Sequence, residues 1–214
     1  MEDKEKVRSI YQELLEKYGE PEEPDNMSGI DYLIETILSQ NTNDINRDKA
    51  FRNLKDKYED DYRAIENADR EELIEAIRIA GLGPTKAERI QEALKIVRED
   101  QGGYSIDFLE EMDISGAKKW LTDIPGIGPK TASVILCFHF KMPTFPVDTH
   151  VHRLSKRLGL VPENASRTKT HNVMEEKVPD EIKYAFHILM ITHGRNGCTA
   201  HDESCEICEK YREK

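Results

Sequence analysis

Apolar residues recur at helical spacing along most of this chain of 214 residues. Near the start, Val7, Ile10 and Leu14 follow one another at steps of three and four, and Ile34 and Ile37 repeat the step further on. Such spacing places apolar side chains on one face of an α-helix. No alternation of apolar and polar residues persists beyond a few positions. The pattern therefore predicts an all-α protein of roughly ten helices joined by short links.

Charge is distributed unevenly along the chain. The net charge is −11, yet residues 115–170 hold nine Lys or Arg against three Asp or Glu. An acidic total argues against general affinity for nucleic acid, whereas a local basic face is typical of a protein that contacts a phosphate backbone. A solvated face of mixed charge is equally compatible with this count.

Neither a membrane span nor a targeting signal is predicted. No apolar run approaches the roughly 18 residues that a spanning helix needs. The first residues, MEDKEKVRSIYQ, lack the apolar core of a signal peptide. We therefore expect a cytoplasmic protein with no membrane partner.

The stretch IPGIGPKTASVIL (124–136) combines two glycines, a proline and a lysine just before an apolar run. Gly126 and Gly128 can adopt positive φ angles without steric cost, and proline suits the first position of a helix. The stretch predicts a tight turn and a helix that begins at Pro129. Amide groups at a helix N-terminus bind phosphate without selecting a base sequence. A plain turn between two helices is the alternative.

Lys130 falls in the first turn of that predicted helix, where the helix dipole disfavours a cation. A neutral amine is a nucleophile and can form a Schiff base. The unfavourable position is therefore compatible with covalent chemistry. Position alone leaves this role and a simple phosphate contact equally open.

Several stretches, in the same order, resemble the endonuclease III family of DNA glycosylases. LTDIPGIGPKTASVIL (121–136) resembles the family's helix–hairpin–helix, and FPVDTHVHRLSKRLGL (145–160) resembles the segment with its catalytic aspartate. Further similar stretches are ILSQNTND (37–44), GLGPTKAERI (81–90) and THGRNGC (192–198). The similarity extends from about residue 25 to residue 208, which makes chance similarity an unsatisfactory explanation.

The resemblance implies a base excision repair DNA glycosylase with AP lyase activity, acting on oxidised pyrimidines. In the family, the lysine that matches Lys130 attacks the sugar C1′ and displaces the damaged base. The resulting imine permits β-elimination of the 3′ phosphate. The aspartate that matches Asp148 assists deprotonation of the nucleophile and stabilises positive charge on the sugar. Its position before a helix also predicts an N-cap.

The resemblance also implies the architecture and the partner. One all-α lobe is a six-helix barrel over residues 22–131 that ends in the helix–hairpin–helix. The second joins residues 1–21 to residues 132–214 and carries a metal loop. We expect a monomer that associates with the nucleoid and binds double-stranded DNA at a damaged base or an abasic site.

The damaged base must leave the stack, because C1′ is not accessible to attack in an intact duplex. By resemblance, a polar side chain of ILSQNTND fills the gap; Asn41 is favoured, with Gln40 adjacent. The alternative is a polar loop in which Thr42 or Asn43 caps the next helix. The remaining predicted DNA contacts lie in the two glycine turns and after Asp148: Gly81, Gly83, Lys86, Gly126, Ile127, Gly128, Thr131 and His150.

Two other functions stay open at this point. A monofunctional mismatch glycosylase is the first, although such enzymes generally lack a lysine at the position of Lys130. A helix–hairpin–helix module that binds DNA without chemistry is the second, and it would need neither Lys130 nor Asp148.

Cys198, Cys205 and Cys208 form the pattern C-x6-C-x2-C, whereas Cys137 lies in an apolar run and is expected in the core. Three clustered thiols in a cytoplasmic protein favour a metal over disulfides.

The family holds a [4Fe–4S] cluster with C-x6-C-x2-C-x5-C, so the resemblance implies such a cluster on these three cysteines. Lys214 stands where the fourth cysteine is expected. A zinc site with three cysteines and either His201 or His193 is the alternative.

Overall fold

The computed structural model of the protein describes residues 3–23, 27–201 and 205–212, and every regular element in these ranges is helical. The prediction of an all-α protein is therefore confirmed. Three short 3₁₀ turns also occur within the described ranges, at Arg78–Ala80, Asp107–Glu111 and Asp180–Ile182. The α-helices, in chain order, are α1 (Asp3–Tyr18), α2 (Gly29–Leu38), α3 (Asp44–Tyr58), α4 (Tyr62–Asn67), α5 (Arg70–Ile77), α6 (Gly83–Gln101), α7 (Ile114–Asp123), α8 (Pro129–Phe138), α9 (Thr149–Arg157), α10 (Arg167–Lys177), α11 (Lys183–Asn196) and α12 (Glu206–Tyr211).

Polar side chains define where many of these helices begin. The hydroxyl of Ser28 accepts a hydrogen bond from the amide of Asp31 at the start of α2. The side chain of Asn43 accepts from the amide of Asn46 at the start of α3, so Asn43 and not Thr42 is the cap of that helix. Each cap satisfies an amide that the helix itself leaves unpaired.

The chain divides into two compact units, Asp25–Ile135 and the combination of Met1–Pro24 with Leu136–Lys214. In the first unit, α3 and α6 pack against α5, and α2 packs against α3 and α6. The core of this unit is aliphatic and fully buried; it includes Leu33, Ile37, Leu54, Leu73, Ile90 and Leu94. Burying each such side chain stabilises the fold by about 1.5–3 kcal/mol.

In the second unit, the N-terminal helix α1 packs against α11 and contacts α10 and α12, while α9 packs against α11. Phe186 of α11 is fully buried, and its ring meets Tyr11 edge-on with centroids 6.2 Å apart. The aliphatic side chains that α1 adds to this core are Val7, Ile10 and Leu14, all fully buried. The start of the chain is therefore an integral part of the unit that contains the cysteines.

None of the helices in the described ranges has the length and the apolar composition that crossing a membrane would require.

Candidate functional site

The turn between α7 and α8 is closed by a hydrogen bond from the amide of Ile127 to the carbonyl of Ile124, 3.0 Å long. Pro125 and Gly126 occupy its centre, and Gly126 has a φ of 86°. Proline followed by a residue with positive φ is the signature of a type II turn. Ile127 itself is 4% exposed, so its side chain anchors the turn in the core.

Helix α8 begins at Pro129, as the sequence predicts. The amide of Ala132 donates to the carbonyl of Gly128, which starts the helical hydrogen bonding. The amides of Gly128, Lys130 and Thr131 precede that bond and lie at the positive end of the helix. A Cβ built on Gly128 would meet nothing within 4 Å, so this end of the helix is open. Such an end can bind a phosphate group.

Lys130 is exposed, and the described residues form no ion pair with its ammonium group. It lies at the edge of a concavity of about 420 Å³ in the first unit. The walls carry no carboxylate among the described lining residues, which are Thr36, Ser39, Gln40, Asn41, Gly126, Lys130, Thr131 and Val134. The side-chain nitrogen is therefore accessible to a group that enters the concavity.

The side-chain amide of Gln40 forms two hydrogen bonds, one to the turn and one to α6. Its Nε2 donates to the carbonyl of Gly126 over 3.0 Å, and its Oε1 accepts from Arg89 Nη1 over 2.5 Å. The side chain of Arg89 lies across Gly126, where an added Cβ would stand 2.5 Å from Cδ. Asn41, by contrast, is exposed in the left-handed region with a φ of 53°. Gln40 is thus held in place by two hydrogen bonds, whereas the side chain of Asn41 is exposed to solvent.

Arg89 is not among the residues that the sequence singles out. It stands on α6 among other charged side chains, and nothing in its spacing distinguishes it from a solvated residue. Its contacts with Gln40 and Gly126 become visible only in the structure, where α6 lies beside the turn at Gly126. We call this pair of contacts the Arg89 brace.

The other glycine turn, before α6, uses its residues differently. Gly81 has a φ of 70° and Leu82 a φ of 52°, and the Leu82 side chain is 55% exposed. A Cβ on the buried Gly83 would lie 3.0 Å from Ile74 Cγ2, so close packing explains that glycine. The sequence does not single out Leu82, because an apolar residue in a turn carries no sign of exposure.

Lys86 is 1% exposed and has a structural position in α6. Its ammonium donates to the carbonyls of Leu38 and Ala80, each over 2.8 Å. Burial lowers the pKa of Lys86. Because both hydrogen bonds go to buried carbonyls at the ends of neighbouring helical segments, the side chain offers DNA no exposed group.

Asp148 caps α9, as its position predicts: its Oδ1 accepts from the amide of Val151 over 2.7 Å. The cap fixes one carboxylate oxygen at a helix N-terminus. His150, two residues on, is half-buried and packs on α11, where a Cβ added to Gly194 would lie 2.9 Å from the His150 Cβ. Its Nδ1 lies 3.4 Å from Arg153 Nη2.

Three predicted cysteines, Cys198, Cys205 and Cys208, come together with His193 of α11. Their four ligand atoms all lie within 4.8 Å of one another, and all four side chains are buried. His201, the other histidine considered from the sequence, is exposed and is not part of this group. Lys214 lies outside the described residues. The donor set is therefore three thiols and an imidazole, which is a recognised set for a metal ion.

Electrostatics in this cluster favour a cation. Burial and the hydrogen bonds from the neighbouring thiols raise the pKa of Cys208. Burial, with Lys17 and Arg153 nearby, lowers the pKa of His193 to about 4, so the imidazole is neutral at pH 7 and can act as a ligand. Three buried thiols can ionise together only beside a positive ion.

The spacing of the donor atoms bears on the [4Fe–4S] cluster that the resemblance implies. In a cubane each ligand binds a different iron atom, so the donor atoms are spread around the outside of the cluster. Donor atoms that lie within 4.8 Å of one another are too close together for that spread. The residues present fit a metal, and their spacing fits one ion better than a cubane.

Comparison with known proteins identifies the family of this chain. The family model of the HhH-GPD superfamily of base excision DNA repair proteins matches residues 34–180. Endonuclease III of Thermotoga maritima is 36% identical over 176 residues, which cover 82% of this chain and 78% of that protein. A relative from Arabidopsis thaliana is 37% identical over 191 residues; these cover 88% of this chain but only 61% of the relative.

A solved structure, that of an endonuclease III trapped as a covalent intermediate with DNA, superposes with a TM-score of 0.78 at 27% identity. The match covers 98% of this chain and 99% of that one. The chain belongs to the HhH-GPD superfamily of base excision DNA repair proteins. Within it, the protein is a DNA glycosylase with the endonuclease III fold.

Proposed function

We propose that the protein is a bifunctional DNA glycosylase with AP lyase activity and that Lys130 is its nucleophile. The observation that carries the proposal is the exposed amine of Lys130 at the N-terminus of α8, without an ion pair among the described residues. The amine borders a concavity walled by hydroxyl and amide side chains. Such walls can receive a nucleotide that has left the stack.

The chemistry follows from that amine. Lys130 Nζ attacks the sugar C1′, the bond from C1′ to the base breaks, and the base leaves with the bonding electrons and takes up a proton. The nitrogen loses a proton, the C1′–O4′ bond breaks as the ring oxygen takes up a proton, and the nitrogen forms a protonated imine with C1′. Loss of a proton from C2′ breaks the C3′–O bond and expels the 3′ phosphate. The similar endonuclease III that was trapped in covalent linkage with DNA supports this course.

Asp148 supplies the negative charge in the proposal. Its carboxylate accepts a hydrogen bond from the amide of Val151, which orients it. It would stabilise the positive charge that grows on the sugar as the base departs and would help to remove protons from the amine. Its assignment comes from the matching sequence segment.

DNA binding is assigned to the open end of α8 and to two exposed side chains. The amides of Gly128, Lys130 and Thr131 would hold a phosphate. Asn41 would occupy the gap left by the extruded base. Leu82 would insert between base steps, as exposed apolar side chains do in proteins that kink DNA. A metal held by the cysteine loop would have a structural role and would take part in no chemical step.

Oxidised pyrimidines are the proposed substrates, because the stretches around Lys130 and Asp148 resemble those of the endonuclease III family. Duplexes that carry an oxidised pyrimidine, an alkylated purine, an oxidised guanine or a G·T mismatch distinguish the candidates. Base release and strand cleavage measured on each duplex give the preference. Preferential release from the mismatch would contradict the proposed substrate.

The nucleophile is tested by borohydride trapping on abasic DNA. Wild-type protein should form a covalent adduct and cleave the strand. Lys130→Gln should lower both by about 10³-fold or more, because the atom that forms the bond is gone. Lys119→Gln, which removes an exposed lysine of α7, is the matched control and should trap normally.

Base release without any adduct from the wild type would instead indicate a monofunctional glycosylase. Binding of abasic DNA with neither activity would indicate a module without chemistry. An adduct of wild-type yield from Lys130→Gln would show that another amine reacts.

The substitution Asp148→Asn removes the negative charge of residue 148 but keeps a side chain that can cap α9. Asparagine caps a helix about as well as aspartate, so stability should change by less than about 1 kcal/mol. The rate of base release should fall by about 10²–10³-fold, because a charge directed at the transition state is lost. Asp123→Asn serves as the control, since Asp123 pairs with Lys119 at the exposed end of α7. An equal effect of both changes would remove Asp148 from the chemistry.

A further inference from the structure

We propose that His193, Cys198, Cys205 and Cys208 bind a single divalent ion of the zinc class, with His193 Nε2 as the fourth ligand. This site replaces the [4Fe–4S] cluster that the sequence resemblance implies. The proposal concerns the fold of the second unit and does not depend on the chemistry of Lys130.

Two of the distances between donor atoms are close to those expected around one tetrahedral ion. Cys205 Sγ lies 3.3 Å from His193 Nε2, and Cys208 Sγ lies 3.5 Å from Cys198 Sγ. Bonds of about 2.0 Å to nitrogen and about 2.3 Å to sulfur in a tetrahedral zinc site place a sulfur about 3.5 Å from the nitrogen and about 3.8 Å from another sulfur. The two observed contacts are slightly shorter than these values, and no pair of donor atoms in the group is separated by more than 4.8 Å.

The imidazole of His193 is oriented for this role by the first helix. Tyr18 Oη of α1 lies 2.8 Å from His193 Nδ1, which leaves Nε2 directed at Cys205. A metal-binding histidine usually has its other ring nitrogen fixed in this way by a hydrogen bond. Gly197 makes room for the contact, because an added Cβ would overlap both Tyr18 Oη and His193 Nδ1.

The surroundings of the thiols suit three thiolates and one dication, a set with a net charge of −1. Arg157 is 9% exposed, and its Nη1 donates to Cys198 Sγ over 3.1 Å and to the carbonyl of Thr199 over 2.6 Å. The amide of Cys208 donates to Cys205 Sγ over 3.2 Å. One guanidinium thus balances the remaining charge, and N–H donors stabilise the sulfurs.

The consequence is a metal-mediated link between α11 and the last described segment, with α1 fixed to it through Tyr18. Cys205 and Cys208 stand at the start of α12, a helix of six residues that could not persist alone. With no open ligand position and no exposed donor atom in the group, the ion would stabilise the fold and take no part in catalysis.

Metal content of the purified full chain is the first test. We expect one zinc per chain, no acid-labile sulfide and no visible absorption. Replacement of the zinc by Co²⁺ should give the intense visible bands of a tetrahedral site with thiolate ligands. Four irons and four sulfides per chain would overturn the proposal, as would a protein that binds neither Zn²⁺ nor Co²⁺.

The fourth ligand is tested with Zn²⁺ titrations of metal-free protein. Tyr18→Phe should weaken Zn²⁺ binding by about 10–100-fold, the usual effect of losing a partner that orients a ligand. His193→Ala should weaken it further, whereas His201→Ala, the matched control, should bind like the wild type. Equal affinities for His193→Ala and His201→Ala would overturn the assignment.

His193→Cys keeps four ligands and covers the case in which His193→Ala does not fold. Its Co²⁺ form should show stronger sulfur-to-cobalt charge transfer than the wild type, because a thiolate replaces the imidazole. A spectrum identical to that of the wild type would show that residue 193 does not bind the ion.

Discussion

Two turns of similar sequence, GLGPTKAERI (81–90) and GIGPKTASVI (126–135), begin α6 and α8. Each contains a lysine within two residues of its proline, yet Lys86 is buried and Lys130 is exposed. Lys86 is the second residue after its proline and Lys130 is the first. One position turns a side chain by about 100° around a helix. Exchange of Thr-Lys for Lys-Thr thus moves a lysine from the core to the solvent.

The exposure of the central apolar residues of the two turns is the reverse of that of the lysines. Leu82 is 55% exposed and Ile127 is 4% exposed. The first turn therefore buries its lysine and presents an apolar side chain, whereas the second buries its apolar side chain and presents an amine. The comparison shows that two turns of similar sequence can present either an apolar side chain or an amine; their backbones differ, because Leu82 has a positive φ and Ile127 does not.

The largest expected effect on stability is that of Lys86→Met. It would leave the carbonyls of Leu38 and Ala80 buried without a donor, at a cost of about 1–3 kcal/mol for each. We expect the free energy of unfolding in urea to fall by about 2–5 kcal/mol. Lys130→Met, its counterpart in the second turn, should change the same quantity by less than about 0.5 kcal/mol. Similar losses for both would contradict the contrast between a buried, hydrogen-bonded lysine and an exposed one.

The central residues of the two turns should affect different properties: Ile127 the stability of the fold and Leu82 the binding of DNA. Ile127→Ala removes buried aliphatic atoms and should cost about 2–4 kcal/mol in urea unfolding. Leu82→Ala should cost less than about 0.5 kcal/mol, but it should weaken binding to abasic duplex by about tenfold, because an inserted side chain is lost. Binding is measured by titration at fixed salt, since phosphate contacts make the affinity strongly salt-dependent. Unchanged binding by Leu82→Ala would remove this turn from the interface.

The smallest effects concern the glycines with positive φ. Gly81→Ala should cost about 1–2 kcal/mol for the left-handed backbone alone, because a Cβ there meets nothing within 4 Å. Gly126→Ala should cost the same and also displace Arg89, which would release Gln40 and slow trapping a few-fold. Arg89→Ala should reproduce the slower trapping with little of the stability loss. Normal trapping by Arg89→Ala would show that the brace has no bearing on the reaction.

Local features of the site could be predicted from the sequence, because each depends on neighbouring residues. The start of α8 at Pro129, the cap at Asp148 and the convergence of three cysteines follow from φ preferences, side-chain capping and short spacing. The helical periodicity likewise predicted the fold class. Where alternatives stayed open, as between Thr42 and Asn43 for the cap of α3, the local signals were equal and packing made the choice.

Features that join distant parts of the chain needed the tertiary structure. Tyr18 and His193 are separated by 175 positions, and Gln40 and Arg89 by 49. Nothing local distinguishes His193 from His201, or Lys86 from an exposed lysine. The sequence by itself determined the helical fold class, the start of α8 and the residue types of the site. Only the tertiary structure decided which side chains are buried and which donors meet, because burial depends on what the rest of the chain brings to the same place.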